Sequence, residues 1–115
     1  MTHVKIKKEF VSDKAIITQI KIKNHSDFDE LGYDIVCAAV SSAAELVINT
    51  LTENFTCECE VKILNEPPEI VIIIPVSEFA NEKKSFAVAG LLDGFVAHLK
   101  NIEREYPQNL RVISF

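Results

Sequence analysis

Residues 33–51, YDIVCAAVSSAAELVINTL, decide how the rest of the chain is read. The run is long, apolar and rich in small residues, and it lacks the every-second-residue alternation of a half-buried strand. Its period is that of a helix. Few large polar groups appear until Glu45, which predicts a helix covered on most sides by a sheet, a partner or both. Ala38, Ala39, Ser41, Ser42, Ala43 and Ala44 would let another backbone approach closely.

Before this helix the chain alternates. Residues 3–11 set Val4, Ile6, Lys8 and Phe10 against Lys5, Lys7 and Glu9, with the face assignment drifting near the end. Ser12, Asp13 and Lys14 form a turn signal, and Ala15–Lys23 alternate again through Ile16, Thr18, Ile20 and Ile22. Two alternating runs around a short polar turn predict a β-hairpin.

After the helix, Thr56–Leu64 place Cys57, Cys59, Val61 and Ile63 against Glu58, Glu60 and Lys62. Pro67 and Pro68 punctuate a turn, and the continuous apolar run 70–74, IVIII, reads as a more buried partner strand. A second helix is expected from Ser77 or Asn81 to Tyr106, with Phe86, Leu91, Leu92, Phe95, Leu99 and Ile102 as its apolar stripe and Pro107 as its stop. Gly90 and Gly94 lie one turn apart in it, a spacing that predicts close packing against the sheet, or less readily against a second copy. Residues 110–115, LRVISF, close the chain as a strand. The order ββαββαβ predicts an α+β two-layer sandwich: a mostly antiparallel sheet with two helices on one face.

At 115 residues, with nearly half of them hydrophobic and a quarter charged, the chain is expected to form a single domain, 1–115. A net charge of −5 and a pI near 5.1 argue against a broad grip on nucleic acid. The alternating lysines of VKIKK and KIK read as the solvated faces of strands. The opening MTHVKIKKEF lacks the apolar core of a secretory signal, and no run of about 18 consecutive apolar residues suggests a membrane span. A cytoplasmic protein with reduced thiols is expected from this and from the odd count of three cysteines.

Two residues carry potential chemistry. His25 lies in the acidic, Gly-containing stretch before the first helix, and Cys37 lies just inside that helix, with eleven residues between them. A thiol and an imidazole are the two parts of a nucleophile active near neutral pH. Helical steps of three and four put Asp34, Cys37 and Ser41 on one stripe. By residue type alone, a cysteine in a helix of small residues is more often a core filler than a nucleophile. Cys57 and Cys59 lack a second cysteine pair or nearby His to complete a metal site, so no metal or other cofactor is implied and strand core is the expected role. His3 and His98 have no motif around them.

The text around Cys37 resembles the ribosomal-processing cysteine protease family of bacteria. That family carries a Gly-His-Ala loop and, at this separation, an Asp-Ile-Val-Cys-Ala-x-Val-Ser helix start. The second half is matched throughout by Asp34, Ile35, Val36, Cys37, Ala38, Ala39, Val40 and Ser41, with Gly32 just before. Asn24 and Ser26 stand where the loop has Gly and Ala; Asn tolerates left-handed backbone angles, and Ser is a small change from Ala. The likeness extends to the element order and to the ending EREYPQNLRV.

The resemblance implies a cysteine endopeptidase that removes a short N-terminal extension from a large-subunit ribosomal protein. It further implies a homodimer, Cys37 as nucleophile, His25 as general base, and Asp34 and Ser41 in supporting positions. Asp27, Asp29 and Glu30 would suit a basic substrate. The alternative is a non-catalytic module that binds a ribosomal protein or an assembly intermediate.

Overall fold

The computed structural model describes residues 1–24 and 32–114. Strand β1 (Thr2–Val11) and strand β2 (Lys14–Asn24) form the expected hairpin, joined through Ser12 and Asp13 with φ of 50° and 65°. Positive φ at both central residues is the tight-turn geometry whose twist suits paired strands. Helix α1 (Tyr33–Asn49) runs into a π turn at Thr50–Asn54, followed by β3 (Glu60–Asn65) and β4 (Pro68–Ile73). A 3₁₀ turn at Val76–Phe79 leads to α2 (Glu82–Glu105), and β5 (Leu110–Ser114) ends the chain.

The sheet order is β3-β4-β2-β1-β5. Three of its pairings are antiparallel and β1·β5 is parallel, so the sheet is mixed, with the expected antiparallel majority. Both helices cover one face, where Val4, Ile6, Ile20, Ile22 and Ile72 meet Val36, Val40, Ala44 and Leu51 of the first helical segment and Val88, Leu92 and Leu99 of α2.

The drift in β1 is a bulge. Between Lys7 and Lys8 the partner on β2 jumps from Gln19 to Ile17, leaving Thr18 as the extra residue. A bulge offsets the two strands by one residue and changes which side chains share a face. Val4 and Ile6 enter the core, whereas Phe10 is 80% exposed. The Thr18 carbonyl accepts the Ile74 N–H at 2.8 Å, which continues the contact of β2 with β4 one residue beyond Gln19 and Ile73.

Three expectations need correction, all after α1. Helix α1 itself buries one stripe, Val36, Val40, Ala44 and Val47, against the rest of the chain, and Ile35 and Leu46 are 60% and 65% exposed in the single chain. Asp34–Asn54 spans 21 residues and by length and composition would suffice to cross a membrane, but its buried stripe closes the core. In α2 the stripe includes Val88 and omits Phe86, which is 84% exposed, because the helix is rotated to seat Val88 over the sheet. Gly90 and Gly94 do not pack on the sheet: a Cβ at either would meet nothing within 4 Å. Finally, β3 begins at Glu60, so Cys57 and Cys59 precede it; the Cys57 N–H is taken by the Leu51 carbonyl at 2.8 Å, which ties this segment to the π turn.

Candidate active site

The candidate site is assembled where four chain segments converge: the start of β1, the end of β2, the start of α1 and the turn between α2 and β5. Gly32 caps α1 with φ 89°, and its carbonyl accepts the Val36 N–H at 3.0 Å. A Cβ here would lie 3.1 Å from the Tyr106 ring and 3.2 Å from Asn109 Oδ1, so glycine is required by conformation and by space together. The α2–β5 turn is bound to β1 in its turn, through the Thr2 N–H donating to the Asn109 carbonyl at 2.8 Å.

Cys37 sits one turn inside α1, half-buried. Its thiol donates to Asn24 Oδ1 at 3.7 Å. That oxygen also accepts a hydrogen bond from Thr2 Oγ1 at 2.8 Å, and Thr2 is fully buried. Thr2 and Asn24 are cross-strand partners because of the bulge; without the extra residue Thr18, Lys23 would oppose Thr2. The sheet thus holds an amide against the thiol.

Asp34 and Ser41 are on the solvent side of α1 with Cys37 between them, as the helical spacing predicts. Gly32, the N-cap residue of α1, makes no side-chain cap hydrogen bond. His25 lies outside the described residues, as do Ser26, Asp27, Asp29 and Glu30. Sequence reading missed Thr2 as a site residue and noted Asn24 only as a departure from the family loop. The signal that could have found Thr2 is the hairpin register, but counting outward from the turn gives the wrong partner unless the bulge is known.

The other thiols are inert by environment. Burial pushes the Cys57 thiol up, with the Glu78 carboxylate adding to the effect, and burial likewise pushes up Cys59. Both rest as neutral thiols, and no metal-binding cluster occurs among the described residues.

A mixed five-stranded sheet with two helices on one face, and a half-buried thiol at the start of the first helix, define the class: a small two-layer α+β protein with a free cysteine at its candidate site. The chain belongs to the cysteine protease Prp family, whose profile matches residues 1–111. It is 28% identical over 100 residues to the ribosomal processing cysteine protease Prp of Bacillus subtilis (strain 168), covering 87% of each chain. Its fold is similar to that of the ribosomal processing protease Prp from S. aureus in complex with a substrate peptide, with TM-score 0.81, 22% identity and both chains covered in full. SMU.848 from Streptococcus mutans is similar too, at TM-score 0.80 and 20% identity, over all of this chain and 94% of that one.

Proposed function

We propose that the chain is an endopeptidase that removes the N-terminal extension of a large-subunit ribosomal protein, with Cys37 as nucleophile and His25 as general base. The observation that carries this reading is the Cys37 thiol at the start of α1, hydrogen-bonded to Asn24, the residue bonded to His25. In the first step Cys37 Sγ attacks the scissile carbonyl carbon while His25 takes the thiol proton. The carbonyl oxygen becomes an oxyanion, which the first-turn N–H groups of α1 would stabilise. Collapse breaks the C–N bond, His25 protonates the departing amine, and a thioester links Cys37 to the excised extension. Water, deprotonated by His25, then hydrolyses the thioester and restores the thiol. Asp34 and Ser41 flank the nucleophile and serve in orientation.

Incubation with the unprocessed ribosomal protein tests this. The wild-type chain should release the extension, and both Cys37→Ala and His25→Ala should reduce the rate at least ~10³-fold. Cleavage that survives Cys37→Ala would refute the assignment, and binding without cleavage by the wild type would favour a non-catalytic module. The reducing cytoplasm suits an enzyme whose nucleophile is a free thiol.

We also propose that the protein acts as a homodimer. Ile35, Ala39, Ser42 and Leu46 form a stripe on α1 left open by the core, beside a groove of about 610 Å³ that His98 of α2 also lines. Phe86 is a further exposed apolar group on α2. Apolar surface of this kind is what a second copy would cover.

A further inference from the structure

We propose that the face of the sheet opposite the helices docks the phosphate backbone of RNA. The strand register places side chains of this face in rows that cross the sheet. One row runs Arg111, His3, Lys23, Glu69, Leu64; the next runs Ile113, Lys5, Lys21, Val71, Lys62; and the third runs Lys7, Gln19, Ile73, Glu60. Six of the twelve lysines and arginines are therefore on one face with two carboxylates. That is a surplus of four positive charges in a chain whose total is −5, which leaves −9 for the remainder.

This segregation works against folding stability. Lys5 is directly opposite Lys21. Like charges in facing positions of paired strands repel. Glu69 faces Lys23 across the β2·β4 pair, and among the described residues Lys62 alone of the six has a carboxylate within ion-pair distance, Glu60 at 3.4 Å. Val71 faces this side yet is only 7% exposed, its row neighbours being Lys21 and Lys62, whose stems can cover it while the ammonium groups remain in water.

The shape of the field selects the ligand. Four strand spacings and three side-chain rows give a cationic surface of roughly 19 by 13 Å. It holds a depression of about 430 Å³, lined by His3, Lys5, Lys21, Lys23 and Glu69. A small anion would want an enclosed, hydrogen-bonded pocket, whereas an array of lysine point charges matches a repeating polyanion. No Phe, Tyr or Trp occurs in these rows to stack on bases, so the contact would follow the backbone and be insensitive to sequence. Choosing RNA among polyanions rests on the proposed function, since a ribosomal protein is accompanied by ribosomal RNA. The acidic remainder of the molecule would meanwhile face a basic substrate protein.

Fluorescence anisotropy with a labelled RNA hairpin of about 20 nucleotides, titrated between 50 and 200 mM KCl, tests the assignment. The wild type should bind with a log–log salt slope of about −2 to −4, as three to five phosphate contacts require. The triple variant Lys5→Gln, Lys21→Gln, Lys62→Gln should lose at least ~10-fold in affinity at 50 mM and about two units of slope. A control of equal net charge, Lys14→Gln, Lys83→Gln, Lys100→Gln, should bind as the wild type does. Equal weakening in the control, no binding by the wild type at 50 mM, or retention only on anionic lipid vesicles would overturn the proposal. Melting temperature verifies folding, and the triple variant should melt no lower than the wild type at low salt because the facing charges are relieved. Cleavage of a precursor peptide without RNA is measured in parallel. If cleavage fails in the wild type the endopeptidase reading is wrong, and if cleavage persists while RNA binding is absent only the docking face is wrong.

Discussion

Asn24 Oδ1 accepts from Thr2 Oγ1 at 2.8 Å and from the Cys37 thiol at 3.7 Å, so a single side chain links the first residues of the sheet to that thiol. Replacing it with Ala removes the one acceptor of both hydrogen bonds. The buried Thr2 hydroxyl would then lack that partner, at a cost of about 1 kcal/mol in stability. The thiol would lose the group that holds its rotamer, and cleavage should fall by roughly 10-fold in kcat/KM with little change in KM. Denaturant midpoints and steady-state kinetics on Asn24→Ala measure the two effects separately; an unchanged kcat/KM would show that the contact has no positioning role. Gly32 is the other residue with no substitute. Gly32→Ala adds a Cβ at φ 89° and 3.1 Å from Tyr106, so a destabilisation of roughly 1–3 kcal/mol is expected in equilibrium unfolding.

At the scale of elements, the 3₁₀ turn and α2 are joined by one ion pair. Glu78 Oε2 lies 2.6 Å from Lys84 Nζ, and Glu78 Oε1 accepts the Glu58 N–H at 2.9 Å, so the same carboxylate also fastens the segment before β3. The bond from Lys84, then the Glu58 N–H, hold the Glu78 carboxyl below its usual range, and the bond to Glu78 raises Lys84. A lowered carboxyl pKa means the folded state binds fewer protons than the unfolded state as pH falls through this range. The stabilisation is therefore present above the ordinary carboxylate range and lost as pH drops through the lowered value. The raised Lys84 contributes below the ordinary lysine range and is lost at higher pH. Melting curves of wild type and Glu78→Gln should differ by a constant amount from pH 7 to about 5 and converge below about pH 4. The N-cap of α2 needs no such pair: Asn81 accepts the Lys84 N–H at 3.0 Å.

For the molecule as a whole, the two outer faces differ in kind. The helical side leaves Ile35, Leu46 and Phe86 exposed, while the sheet side is crowded with cations. A homodimer closed over the helical side would bury the former and leave the latter free. Leu46→Asp, a charge placed in the middle of the open α1 stripe, should shift the protein to monomer by light scattering without lowering its melting temperature by more than ~1 kcal/mol equivalent, because Leu46 is 65% exposed in the single chain. A wild type that is monomeric at tens of micromolar would refute the dimer. Net charge argued against nucleic acid because it sums over faces; the sheet register separates what the sum combines.

Much of the architecture was legible because it depends on short-range periods. Alternation by two marked the strands, steps of three and four marked the helices, and Pro107 marked the end of α2, so the order ββαββαβ follows from local pattern alone. Cys37 with Asp34 and Ser41 on one helix face follows from the same arithmetic, and the family likeness rests on residues contiguous in the chain. What only the tertiary structure decided is non-local. The bulge at Thr18 determines that Asn24, not Lys23, faces Thr2, and a one-residue offset cannot be read from alternation, which looks the same in either register. The rotation of α2 that exposes Phe86 and buries Val88, the open surroundings of Gly90 and Gly94, and the meeting of Thr2, Asn24 and Cys37 all depend on contacts between distant segments, where packing rather than local period selects the partner.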